Sequence, residues 1–108
     1  MDRIVNLSLQ GNKIIVNPSS LDVQVGDTIK FVSDPNYYDV VIPNKDNFFV
    51  NNDNGKTIEY IIPPSTTYIP NPALTINNKP VGSIKYYNVT TPGGGITYAP
   101  PRIIVIAW

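Results

Sequence analysis

Apolar and polar residues alternate with a period of two along most of this chain, the pattern of strands with one buried and one wet face. In Arg3–Leu9, Val5, Leu7 and Leu9 share a face while Asn6 and Ser8 point away, and Gln10-Gly11-Asn12 turns the chain into a second strand, Lys13–Asn17. In Leu21–Val25 the inward residues are Leu21, Val23 and Val25. Gly26-Asp27 then makes a turn, and Ile29 and Phe31 resume the inward face. Pro35 and Asp34 mark the next turn, one by fixing φ and the other by its capacity for an Asx-turn. Tyr37–Ile42 is apolar on both faces, which predicts a strand covered on both sides or lying at an end of the core. Asn54-Gly55 is a strong hairpin signal and predicts that Phe48–Val50 folds back through it onto Lys56–Ile62. Later strands are predicted at Ala73–Ile76, Ser83–Val89 and Arg102–Ala107.

Helical signals are almost missing. Eleven prolines and seven glycines punctuate 108 residues, a spacing closer than an ordinary helix tolerates. Pro63-Pro64, Pro70, Pro72 and Pro100-Pro101 belong at corners and edges, because proline cannot donate to a central ladder. The glycine-rich stretch Thr91–Pro101 reads as a long, mobile loop between the last two strands. No internal repeat or linker divides the chain, so residues 1–108 form one domain. Many short strands and frequent turns predict an all-β fold, a single antiparallel Greek-key β-sandwich, with another immunoglobulin-like sandwich as the alternative.

Composition narrows the chemistry. There is neither cysteine nor histidine, which removes disulfides, thiolate nucleophiles and catalysis by a histidine base. Structural zinc is excluded on the same ground. Eight basic and eight acidic residues cancel, so no charge imbalance draws the chain to nucleic acid or anionic lipid. Charged residues make up 15% and there are 13 asparagines. That uncharged polar surface hints at an exported bacterial β-domain. No apolar run is long enough for a membrane-spanning helix. The start, MDRIVNLSLQ, lacks the basic and apolar regions of a signal peptide, and the expectation is an extracytoplasmic protein whose leader lies outside this sequence.

Val25-Gly26-Asp27-Thr28-Ile29-Lys30-Phe31, followed by Tyr38-Asp39-Val40-Val41, resembles the signature of the cupredoxins, small Greek-key β-sandwiches that include plastocyanin and azurin. The C-terminal part, with the aromatic strand IKYYNV, a loop and the closing strand RIIVI, is similar too. In that family copper is held by a His after the Gly-Asp-Thr strand and by Cys and His, usually with an axial Met, around the last loop. Carried over position by position, the resemblance puts Tyr38 where the first His would be, and Asn88 and Thr91 nearest the Cys and second His. The single methionine, Met1, is at the wrong end. A blue-copper site needs thiolate and imidazole, and this sequence has neither. The resemblance therefore implies the frame without its copper site, and no cofactor is expected.

The same residues bear on other chemistries. A carboxylate pair drawn from Asp22, Asp27, Asp34, Asp39, Asp46, Asp53 and Glu59 is conceivable, but sequence does not show which two face each other. Turn formers and solvated strand faces account for most of them, and Asp27 reads as the turn acid after Gly26. The oxygen-rich stretch Asp46–Gly55 raises a Ca²⁺ site. It fails the EF-hand register, and an Asn-Gly turn explains it without metal. Thr91–Thr97 is glycine-rich but lacks the lysine and helix of a phosphate loop.

The tyrosines carry the remaining signal. Tyr37-Tyr38 and Tyr86-Tyr87 are adjacent pairs, so on strands one member of each faces the core and the other solvent. The exposed member of the first pair, with Tyr87 and Tyr98, would form a platform for a sugar ring or a partner chain. The competing reading is that tyrosines plug the metal end of the frame. The sequence thus predicts a non-enzymatic, metal-free binding or structural module. A carbohydrate-binding module is the first alternative and a carboxylate-dependent hydrolase the second. The closing strand IIVIAW offers a route to homo-oligomers, with Trp108 either in the core or at a dimer seam.

Overall fold

A computed structural model describes residues 1–50, 55–95, 97 and 99–107. Among the described residues there are twelve strands and no helix. They are β1 (Asp2–Gln10), β2 (Lys13–Asn17), β3 (Ser20–Val23), β4 (Thr28–Ser33), β5 (Tyr38–Ile42), β6 (Phe49–Val50), β7 (Ile58–Ile62), β8 (Thr67–Tyr68), β9 (Leu74–Ile76), β10 (Ile84–Tyr86), β11 (Asn88–Thr90) and β12 (Arg102–Val105).

The first layer runs β2-β1-β4-β9-β6, with β8 paired to β4. The second contains two ladders, β10-β12-β3 and β11-β5-β7. β10 and β11 are successive parts of one extended run broken only at Tyr87, whose N–H is bonded instead to the Pro101 carbonyl at 3.1 Å. That run joins the two ladders into one layer. Alternation decides what each layer buries. Val5 and Leu7 on β1, Ile29 and Phe31 on β4, Val40 and Ile42 on β5, and Ile103 and Val105 on β12 are all enclosed. Their partners in the neighbouring positions face outward, as the period-two pattern requires.

The expected sandwich is present, but its pairing is mixed. β1 lies parallel to β4 (Asp2 opposite Thr28) and β12 parallel to β3 (Arg102 opposite Ser20). Both are non-local pairings, and a buried face does not specify strand direction. The Gly11-Asn12 reversal makes the expected β1–β2 hairpin, with Gln10 opposite Lys13 and Gly11 at φ 60°. The other predicted hairpin is corrected. β6 pairs with β9 in the first layer, while β7 pairs with β5 in the second, so the Gly55 turn carries the chain between layers. Gly55 does adopt the left-handed φ of 83° that the Asn-Gly signal demands. A turn signal reverses the chain; it does not choose the strand's partner. Asn54 and Asp53 themselves lie outside the described residues.

β8 was not anticipated from sequence. It is two residues long, between proline corners, and its Tyr68 stacks on Tyr60 (5.3 Å between ring centroids), which in turn meets Phe31 at 6.2 Å. Asp27 is confirmed as a turn acid. Its Oδ2 accepts from the Gln24 N–H and the Arg3 Nε, each at 2.8 Å.

Candidate functional site

The functional question centres on the end of the sandwich bearing Tyr38, Asp34 and the start of the Thr91–Pro101 loop. Asp34 is the hub. Its carboxylate accepts from the Leu9 N–H at 3.0 Å, the Asn36 N–H at 3.1 Å and the Tyr38 Oη at 2.7 Å. Its main chain adds two more ties: the Asp34 N–H donates to the Leu7 carbonyl, and its carbonyl accepts from Ser65. Burial pushes the Asp34 carboxyl up, but the bonds from Tyr38, Asn36 and Leu9 outweigh it, and its pKa lies below the usual carboxylate value. Burial, reinforced by that carboxylate, drives the Tyr38 hydroxyl well above its ordinary pKa. Tyr38 is therefore a neutral, permanent donor, only 1% exposed. Across the same end, Gly95 is buried, and a Cβ there would meet Leu9 Cδ1 at 3.0 Å and Ile14 Cγ1 at 3.2 Å. The glycine-rich loop is thus seated on the core at Gly95.

Beside this filled end lies an open groove of about 240 Å³, lined by Tyr37, Tyr38, Asp39, Ile61, Thr90, Thr91 and Pro92. Its register follows from the ladders: Asp39 on β5 sits opposite Ile61 on β7 and opposite Thr90 on β11. The Thr91 hydroxyl donates to the Tyr37 carbonyl at 2.8 Å and holds the groove's upper wall. Tyr37 and Ile61 are 53% and 58% exposed, so the walls present apolar surface to solvent. Glu59 is the diagonal neighbour of Asp39 on the same outer face. The hydrogen bond and the charge of Asp39 together raise the Glu59 pKa. Asp39 Oδ1 is covered by protein and has no hydrogen-bond partner among the described residues.

The predicted site residues divide. Tyr37 is the exposed member of its pair and lines the groove, whereas Tyr38 is inside. Tyr87 is a correction: it is 1% exposed, and Tyr86 is the outward member at 52%. Lys85, Tyr87 and Val89 share the parity that faces the core, because Lys85 lies opposite Ile103 and Val89 opposite Val40. The Tyr87 hydroxyl has no partner among the described residues, and burial raises its pKa. Tyr98 lies outside the described residues. Tyr86 is not a substitute member of the platform. It pairs with Arg102, four residues and roughly 13 Å along the strand from Thr90.

Of the three positions carried over from the copper site, Tyr38 and Thr91 line the same groove and Asn88 is not part of it. Tyr38 points inward to Asp34, Thr91 is committed to Tyr37, and Asn88 is exposed on the outer face opposite Val41. Copper does not fit these residues. The chain has no imidazole or thiol, its one methionine is an exposed Met1, and no group of three metal-ligating side chains forms among the described residues. The calcium reading loses Asp46, whose Oδ1 is bonded to Lys85 Nζ at 2.7 Å. The sequence offers Asp39 and Glu59 among seven acids and no means to pair them. Facing diagonally across two strands is a matter of register.

By sequence, the chain matches no protein-family profile and no curated protein. By structure, it is similar to a reduced mutant of amicyanin with tyrosine in place of tryptophan, at 15% identity and a TM-score of 0.58. The match covers 96% of this chain and 81% of that one. A proline-to-glycine mutant of amicyanin in its reduced Cu(I) form at pH 4 is similar at 16% identity and a TM-score of 0.58, over 94% of this chain and 79% of that one. The fold is cupredoxin-like. At such low identity the likeness extends to the two-layer frame alone. Within that cupredoxin-like frame, the end described above holds a Tyr38–Asp34 hydrogen bond in a chain without histidine or cysteine.

Proposed function

We propose that this cupredoxin-like domain is a metal-free, non-enzymatic binding module, and that the groove between Tyr37, Ile61 and Pro92 is its contact surface. The observation that carries the reading is the contrast between two adjacent places. One end of the core is closed by a fully buried tyrosine bonded to a half-buried carboxylate, and beside it apolar side chains that packing does not need stand open to solvent. Exposed apolar walls around a few polar groups are what contact surfaces offer.

Catalysis by carboxylates is the less favoured reading. Asp39 and Glu59 do form a close pair with one raised pKa, the property sought in an acid–base site. They are diagonal neighbours across one ladder, however, and the groove that Asp39 lines does not include Glu59, so no cleft encloses both acids. Glu59 is also fully exposed on a sheet face. A carbohydrate platform would need an aromatic row, and Tyr37 and Tyr86 stand at separate places on the face.

Two measurements test the proposal. Dialysis against Cu(II) followed by metal analysis is expected to leave no stoichiometric copper, and a bound ion with thiolate-like blue absorbance overturns the metal-free reading. Paired Tyr37→Ala and Ile61→Ala changes are expected to abolish retention on partner or polysaccharide columns, with Tyr86→Ala as the control; undiminished retention rejects the groove.

A further inference from the structure

The groove has a charge character that the binding-module reading leaves unused. Its lining contains a carboxylate, Asp39, and no basic residue. Glu59 adds a second carboxylate on the same face. The other outward groups around the pair are uncharged: Asn88 and Thr90 on β11, Val41 on β5 and Ile61 on β7. Two acids placed side by side repel unless one holds a proton or a cation joins them. The four cation–carboxylate pairs in the described structure all involve other acids, namely Asp2, Asp27 and Asp46.

The walls add a second requirement. Tyr37, Ile61 and Pro92 are apolar, and a strongly hydrated inorganic ion gains nothing from them. A cation on a hydrocarbon stem satisfies both halves, stem on the apolar walls and head at the acids, with the exposed Tyr37 ring alongside. The groove, about 240 Å³ and open to solvent, admits one such side chain.

We infer that the groove receives a lysine side chain from a partner protein, its ammonium group between Asp39 and Glu59 and its methylenes against Ile61, Tyr37 and Pro92. The inference rests on the binding-module reading and names the chemistry of its partner. The adjoining strand favours a partner chain over a free amine. β7 ends the order β11-β5-β7, and no described strand pairs with its other side, so a segment laid along that edge finds unpaired backbone groups within reach of the groove. Zero net charge on the domain leaves local charge to select the partner.

The test is a ¹⁵N-edited NMR titration of the intact domain with the blocked pentapeptide acetyl-Val-Thr-Lys-Thr-Val-amide, its norleucine analogue and n-butylammonium. The lysine peptide is expected to shift the amides of Asp39, Ile61, Thr90 and Thr91. It should bind at least about fivefold more tightly than the norleucine peptide at low salt, and Asp39→Asn with Glu59→Gln should erase the difference while leaving the remaining spectrum in place. Equal affinity for lysine and norleucine peptides overturns the ammonium assignment and leaves the groove as an apolar contact site. Butylammonium binding as tightly as the peptide overturns the assignment to a partner chain. Failure of both peptides to shift groove resonances sinks this inference and the contact-surface reading together.

Discussion

The Tyr38 hydroxyl donates to the Asp34 carboxylate at 2.7 Å, and the same carboxylate holds the Leu9 N–H at 3.0 Å. β1 and the turn leading into β5, 25 residues apart in the chain, are thereby fastened at one point. This hydrogen bond occupies the end of the frame where the family resemblance places a metal ligand.

Tyr38→Phe keeps the ring and removes the bond. It leaves a half-buried carboxylate oxygen short of one donor, so the expected cost is about 1 kcal/mol, read by urea denaturation with an unchanged slope. Asp34→Ala is expected to cost more, because the Leu9 and Asn36 amides and the Tyr38 hydroxyl all lose their acceptor. A Tyr38→Phe domain as stable as the wild type would show that the end is held by packing alone.

Lys85 and Asp46 form an unequal ion pair: the lysine side chain is 11% exposed, the aspartate 48%. Lys85 Nζ also lies 5.8 Å from the Phe48 ring centroid. Lys85→Met is expected to be tolerated within about 1 kcal/mol, since Asp46 can return to water and methionine fits the apolar stem's place. Asp46→Ala strands a buried ammonium and is expected to cost about 1–3 kcal/mol. Equal effects of the two changes would contradict the asymmetry, and thermal melts of both variants decide it.

Gly95→Ala places a methyl 2.8 Å from Thr91 Cγ2 and against Leu9 and Ile14, whereas Gly93→Ala meets nothing. The first is expected to cost about 1–3 kcal/mol by overpacking, the second little. Equal melting temperatures would mean that the loop is not seated on Leu9 and Ile14.

Acid stability follows from four carboxyls. For Asp27, Asp34 and Asp46, burial raises the pKa but hydrogen bonds and charges outweigh it, and each lies below its ordinary value. Their stabilisation is present above the unfolded value, near pH 4, and disappears as pH falls through the lower folded values. Glu59 runs the other way. Its raised pKa gives stability at low pH that is lost as pH rises through the folded value. The melting temperature is therefore expected to drop below pH 4, and Glu59→Gln to raise it at neutral pH by relieving the Asp39–Glu59 repulsion. A Glu59→Gln variant that melts lower at pH 7 would contradict the pairing.

The alternation along the chain was enough to place nearly every strand and to put one tyrosine of each adjacent pair inside, because parity is a local property. The absence of histidine and cysteine removed the thiolate and imidazole ligands of a blue-copper site without coordinates, because ligands are atoms that are present or missing. Parity alone did not say which tyrosine of either pair faces inward, and in the second pair it is Tyr87, not Tyr86, that is enclosed. That choice rests on Val89 lying opposite Val40 and Lys85 opposite Ile103. The Asn54-Gly55 signal located a reversal, yet the partners of β6 and β7 came from opposite layers. The parallel pairings of β1 with β4 and β12 with β3, the convergence of Leu9, Asp34 and Tyr38, and the diagonal meeting of Asp39 with Glu59 were decided only in three dimensions. Each depends on register between strands remote in sequence, and register is set by how whole layers pack rather than by any residue's own preference.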